Sequence, residues 1–103
     1  MRKKIKIELQ YFEGCPNSDL LKSNTRKAVN YFEEFIDYKE RLITSSKEAS
    51  RIKFRGSPTL LINNIDFENR EEPQTGGLNC RVYFEGIPSI EQIMERIESV
   101  VIK

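Results

Sequence analysis

From Ile5 to Tyr11 the chain alternates without a break. Ile5, Ile7, Leu9 and Tyr11 fall on one side, and Lys4, Lys6, Glu8 and Gln10 on the other. A period of two predicts a β-strand with one apolar face. Phe12-Glu13-Gly14-Cys15-Pro16 ends it. From Asn17 the period lengthens. Leu20, Leu21, Ala28, Val29, Tyr31, Phe32, Phe35 and Ile36 recur at steps of three, four and seven. That spacing predicts a long amphipathic helix. Pro16 suits its first turn, where the missing N–H would have no partner anyway. Asp19 near the start complements the helix dipole. Cys15 therefore sits at or just before a helix N-terminus.

Tyr38 to Ile43 predicts a second strand, diluted by Lys39, Glu40 and Arg41. Ser45 and Glu48 match a capping box, which opens a short helix over about 45–53. Arg55-Gly56-Ser57-Pro58 stops it, and the apolar run Thr59-Leu60-Leu61-Ile62 predicts a buried strand. Asn63 to Asn79 shows no period. A loop this long in a compact domain is usually functional or mobile. Cys80-Arg81-Val82-Tyr83-Phe84 predicts the fourth strand, and Gly86 turns the chain. Ser89 and Gln92 form another capping box, followed by the stripe Ile90, Ile93, Met94, Ile97 and Val101 of a last helix. The order β-α-β-α-β-β-α predicts one α/β domain spanning residues 1–103, with a four-stranded mixed sheet and three helices. The first and last helices should share one face and the short second helix should cover the other. The polar side of the first strand implies that this second cover is thin.

Composition narrows the chemistry. The chain has 103 residues, 38% hydrophobic and 32% charged, with ten aromatics to supply core bulk. A domain of this size can bury roughly 60–65% of its unfolded surface and fold alone. It has no His and two Cys. That excludes a Ser-His-Asp triad, a Cys-His pair, an imidazole metal site and a four-thiolate cluster within one chain. A formal net charge of +1 gives no field for non-specific nucleic-acid binding. After Met1-Arg2-Lys3-Lys4, Lys6 and Glu8 interrupt the apolar stretch that a signal peptide requires. No window approaches 18 apolar residues, so no membrane partner is expected. The expected setting is cytoplasmic, where thiols are kept reduced and cysteines serve chemistry more than structure.

Cys15 has a physical case of its own. Partial positive charge at a helix N-terminus lowers a thiol pKa from about 8.5 to as low as about 3.5–7.5. Three segments, taken in order, extend the case. They are Tyr11-Phe12-Glu13-Gly14-Cys15-Pro16-Asn17, Phe54-Arg55-Gly56-Ser57-Pro58-Thr59 and Gly77-Leu78-Asn79-Cys80-Arg81-Val82-Tyr83. With the element order, they resemble the thioredoxin-like fold. More narrowly, they resemble a group of small bacterial thioredoxin-like proteins sometimes labelled as related to alkylmercury lyase.

The resemblance implies roles. Cys15 matches the nucleophilic thiol. Pro58 matches the proline that follows a cis peptide bond beside that thiol, and Ser57 would present its backbone to a bound substrate segment. The second cysteine of a Cys-x-x-Cys pair is absent, and Ser18 stands in its place. Its hydroxyl can stabilise a Cys15 thiolate but cannot close a disulfide. The related group implies Cys80 as the partner of Cys15. Simple geometry objects. If 59–62 and 80–84 form an antiparallel hairpin, Cys80 lies at the end away from Pro58. Four residues of strand span about 13 Å, whereas a disulfide needs Cα atoms within about 7 Å. A fold-back of residues 63–79, or a fourth strand starting after Cys80, would bring the thiols together.

The expected function is thiol–disulfide oxidoreductase chemistry of a monothiol or atypical dithiol kind. Its substrate would be a small or protein thiol or disulfide, with no cofactor and no metal. Two rivals stand beside it: a thiolate module for soft metals or organomercurials, and a non-catalytic partner-binding scaffold. The basic edge of Lys3, Lys4 and Lys6 reads as a solvated face. Arg81, next to Cys80, reads first as a surface arginine and second as a holder of a thiolate or a substrate carboxylate, and the acidic run Glu68 to Glu72 reads as a solvated loop. Oligomeric state is open.

Overall fold

The computed structural model describes residues 4–74 and 76–101. Met1–Lys3, Thr75 and Ile102–Lys103 lie outside the described residues, so Lys3 of the basic edge is not placed. The first strand, β1, runs Ile5–Tyr11 as the alternation predicts. Ile5, Ile7 and Leu9 are buried; Lys6 is exposed and Glu8 half-buried.

Helix α1 runs Ser18–Tyr31, shorter than the apolar spacing predicts. A 3-10 turn at Glu33–Phe35 follows, and Ile36 opens β2 (Ile36–Leu42) rather than closing the helix. The buried stripe of α1 is Ser18, Leu21, Thr25 and Ala28. Leu20 and Tyr31 sit off that stripe and are exposed. Helix α2 spans Ser46–Arg51, with Ser45 capping it by accepting from the Glu48 N–H at 3.1 Å. Strand β3 is Thr59–Ile62, buried along its whole length. Helix α3 is Ile90–Val101, where Ser89 and Gln92 exchange the two bonds of the expected box.

The fourth strand corrects the sequence reading. Strand β4 is Ile65–Asp66, not Cys80–Phe84. Asn63 and Asn64 both have positive φ, 51° and 67°. Two such residues make the tight turn that joins β3 to β4. The Asn63 side chain also accepts from the Lys6 N–H at 2.9 Å. Residues 80–84 are buried in alternation, with Arg81 and Tyr83 inward and Val82 and Phe84 outward. That alternation mimics a strand. Only Cys80 makes a bridge, to Ser57. The Phe84 N–H and the Val82 carbonyl bond the Glu68 and Arg70 side chains instead.

The result is an α/β fold with a four-stranded mixed sheet in the order β2-β1-β3-β4 and three helices. β1 pairs parallel with β2 and antiparallel with β3. The main core joins the apolar side of β1 to Leu21 and Ala28 of α1 and to Ile93 and Ile97 of α3. α2 belongs to a separate small cluster of Ile43, Ala49 and Phe54. The polar side of β1 borders a hollow of about 260 Å³ that also meets Asp37 and Lys39. Cover on that side is thin, as the charged alternation of β1 implies.

Asn63→Ala should cost roughly 1–2 kcal/mol, because a residue with a Cβ is disfavoured at left-handed φ and the Lys6 N–H loses its acceptor. Asn63→Gly should lose only the hydrogen bond. Urea denaturation of both variants checks this; equal midpoints for the two would contradict the turn assignment.

Candidate functional site

The site is built where three chain segments converge at one end of β1 and β3. The first is the turn carrying Cys15 into α1, the second is Gly56-Ser57-Pro58 before β3, and the third is Asn79-Cys80-Arg81. Cys15 and Cys80 are joined as a disulfide, with Cα atoms 5.7 Å apart across 65 positions. This overturns the geometric objection to the pair. The objection required Cys80 to start a strand antiparallel to β3, at its far end. Because β4 is Ile65–Asp66, residues 67–79 return the chain to the near end. There Cys80 bridges Ser57 in parallel.

The peptide bond between Ser57 and Pro58 is cis, as the resemblance implies. Ser57 is fully buried. Its hydroxyl lies 3.0 Å from the Ser18 hydroxyl and accepts from the Phe12 N–H at 3.1 Å. Ser18 thus ties the start of α1 to the Ser57 turn, and its bond goes to Ser57 in this disulfide state. The Ser57 N–H donates to the Asn79 carbonyl and its carbonyl accepts from the Arg81 N–H, both at 2.8 Å. The backbone that the resemblance reserves for a substrate segment is therefore filled by the protein's own residues 79–81.

Gly56 permits that approach. Its φ is +108°, and a Cβ there would meet the Arg81 Cβ at 2.9 Å. Any side chain at position 56 would push the Cys80 segment away. Gly76 plays a similar part further back, where a Cβ would run into the Ala49 carbonyl and the Phe54 N–H.

Arg81 is the residue that the sequence reading placed wrongly. It is a buried arginine, not a surface one. Its guanidinium forms a two-pronged pair with Asp66, at 2.6 and 2.7 Å. It also donates to the Thr59 hydroxyl at 3.2 Å and to Glu68 at 3.1 Å. The guanidinium lies over the Tyr83 ring, 4.4 Å from its centre. The Tyr83 hydroxyl in turn donates to the Pro58 carbonyl at 2.9 Å. One arginine thus links β4, β3, the 67–79 return and the cis-proline turn. Glu68, read as part of a solvated acidic run, is half-buried and pairs with both Arg81 and Arg70. Glu71 and Glu72 are exposed, as expected.

The electrostatics follow from this packing. Burial drives the Asp66 carboxyl upward, but the hydrogen bonds and charge of Arg81 outweigh it and leave the pKa below its ordinary value. Burial likewise works against the Arg81 charge, and Asp66 outweighs it in turn. Burial pushes Tyr83 up to about 12, against the opposing charge of Arg81. Tyr83 therefore stays protonated and keeps donating to Pro58.

Cys15, Ser18, Ser57, Pro58 and Cys80 all meet at this one place. The sequence assigns no role in it to Asp66, Tyr83 or Gly56, and reads Arg81 first as a surface residue. The Asn63-Asn64 pair was the available signal for Asp66, because a tight turn there sets Asp66 back across β3. Among the described residues, no group of three or more His, Cys, Asp or Glu side chains is placed to hold a metal ion, and no helix is long and apolar enough to cross a membrane. No protein-family model matches the chain, and no curated protein matches it in sequence.

Removing one partner of a buried pair strands the other charge, at a cost of about 3–5 kcal/mol. Asp66→Ala should therefore destabilise strongly, while Asp66→Leu combined with Arg81→Met should cost less than Asp66→Ala alone. A carboxyl with a lowered folded pKa contributes stability above its unfolded value of about 3.9, which is lost as pH falls through the folded value. Urea midpoints followed downward from pH 5 should fall less steeply in the double variant than in the native chain. Parallel curves would count against the pair.

Proposed function

We propose that this chain is a thioredoxin-like thiol–disulfide exchange protein whose redox couple is Cys15 and Cys80. The observation that carries this reading is their convergence beside the cis Ser57–Pro58 turn, with Cα atoms at disulfide distance. The class of substrate is a thiol or disulfide, small or protein-borne. The cysteine that Cys-x-x-Cys would place at position 18 is supplied from position 80 instead. Cys15 stands at the entry to α1, whose N-terminus has no side-chain cap. A helix N-terminus favours negative charge beside it, which is the usual setting of a reactive thiol. The cytoplasmic setting belongs to the same reading, since a disulfide in a reducing compartment is a transient, chemically active one.

A second reading rests on the same pair. Once reduced, the two sulfurs form a ready two-coordinate site for a soft ion such as mercury(II).

Thiol counting and intact mass in glutathione buffers of graded potential separate the two. The exchange reading expects reversible passage between two free thiols and none, without dimer formation. It also expects turnover of a small disulfide by the native chain, which replacing both Cys15 and Cys80 by serine abolishes. Full turnover in that doubly substituted chain would sink it. Tight mercury(II) binding by a pair that stays reduced under oxidant would select the metal-binding reading.

A further inference from the structure

We infer that an incoming thiolate attacks the sulfur of Cys80, and that Cys15 is the sulfur that leaves. The inference rests on the exchange reading above and assigns the two cysteines different roles within it. It reverses the order that the resemblance implies, in which Cys15 meets the substrate.

Three observations support it. The first is access. Cys15 is buried, with 6% of its surface exposed, whereas Cys80 is exposed. Cys80 also lines an open surface cavity of about 450 Å³, together with Phe54, Gly56, Arg70, Val82 and Phe84; Cys15 does not line it. That volume lies within the roughly 300–1,000 Å³ range of small-molecule sites. The second is obstruction. Access to Cys15 past the Ser57 backbone is closed, because the Ser57 N–H and carbonyl are both bonded to residues 79–81. A substrate segment cannot pair there until the Cys80 segment leaves. The third is leaving-group chemistry. Exchange is faster when the departing sulfur has the lower pKa. Cys15 is the cysteine that leads into α1, whose start carries no side-chain cap, so the helix end favours charge leaving towards that side of the bond.

The steps balance. A thiolate RS⁻ forms an R–S–S bond to Cys80, the Cys15–Cys80 bond breaks, and its electron pair goes to Cys15 as a thiolate. A second RS⁻ then attacks the sulfur of the R group, releasing RSSR and a Cys80 thiolate. The external thiol is oxidised and the protein disulfide reduced. Between the steps, the Arg81–Asp66 pair and the Ser57 bonds still hold the 79–81 segment. Cys15 therefore stays within reach of Cys80 and can expel RS⁻ again. Cys15 acts as the internal thiol that closes the disulfide, and Cys80 as the sulfur that faces the substrate.

The test uses the oxidised native chain and glutathione. Samples are quenched in acid at successive short times, digested with pepsin at the same low pH and mapped by mass spectrometry. The first glutathione adduct is expected on Cys80, in about tenfold or greater excess over Cys15, from access and leaving-group preference together. An adduct first on Cys15 would overturn the inference and leave the exchange reading intact. No adduct on either cysteine, where the urea-unfolded chain reacts readily, would remove the exchange reading and this inference with it.

Discussion

The buried pairing of Arg81 with Asp66 is the interaction on which this site depends. By itself a buried ion pair adds little net stability, because desolvating both charges offsets much of their attraction. Its consequence here is positional. Asp66 is held in β4 against β3, so its carboxylate is a fixed point on the sheet. Arg81 reaches that point with both prongs, stacks on Tyr83 and touches Thr59. The residue before Arg81 is Cys80. Anchoring the arginine therefore delivers the cysteine to Cys15, and Tyr83 holds the same segment to the Pro58 carbonyl.

Most of the architecture was legible because it rests on local periodicity. The alternation of Ile5 to Tyr11, the boxes at Ser45 and Ser89, and the run Thr59 to Ile62 each report their own element. The failures share one cause. Residues 80–84 alternate between inside and outside, and alternation cannot say where an extended segment finds its hydrogen bonds. Here they go to Ser57 and to the side chains of Glu68 and Arg70. The end of α1 failed for a related reason. Phe35 and Ile36 keep a helical spacing, but Ile36 pairs with Ile5 in the sheet.

The site was legible in its chemistry and not in its geometry. Cys15 beside Pro16, and Ser57 before Pro58, could be named from short motifs. The distance from Cys15 to Cys80 could not, because it depends on the path of the return through residues 67–79. That path is set by long-range contacts: Arg55 to the Arg70 carbonyl, Gly76 packed against the α2 region, and Gly56 yielding space to Arg81. A charged residue in an extended stretch reads as exposed by default. Arg81 departs from that default because its partner lies 15 positions earlier.

The central claim is that the Arg81–Asp66 pair holds Cys80 in reach of Cys15. The most direct measurement is the equilibrium between the Cys15–Cys80 disulfide and glutathione, in the native chain and in Asp66→Ala, under conditions where both are folded. That equilibrium constant is the effective concentration of one thiol at the other. The account predicts a clearly lower effective concentration in Asp66→Ala, so that the pair opens at a less reducing glutathione ratio. The same constant in both proteins would contradict it.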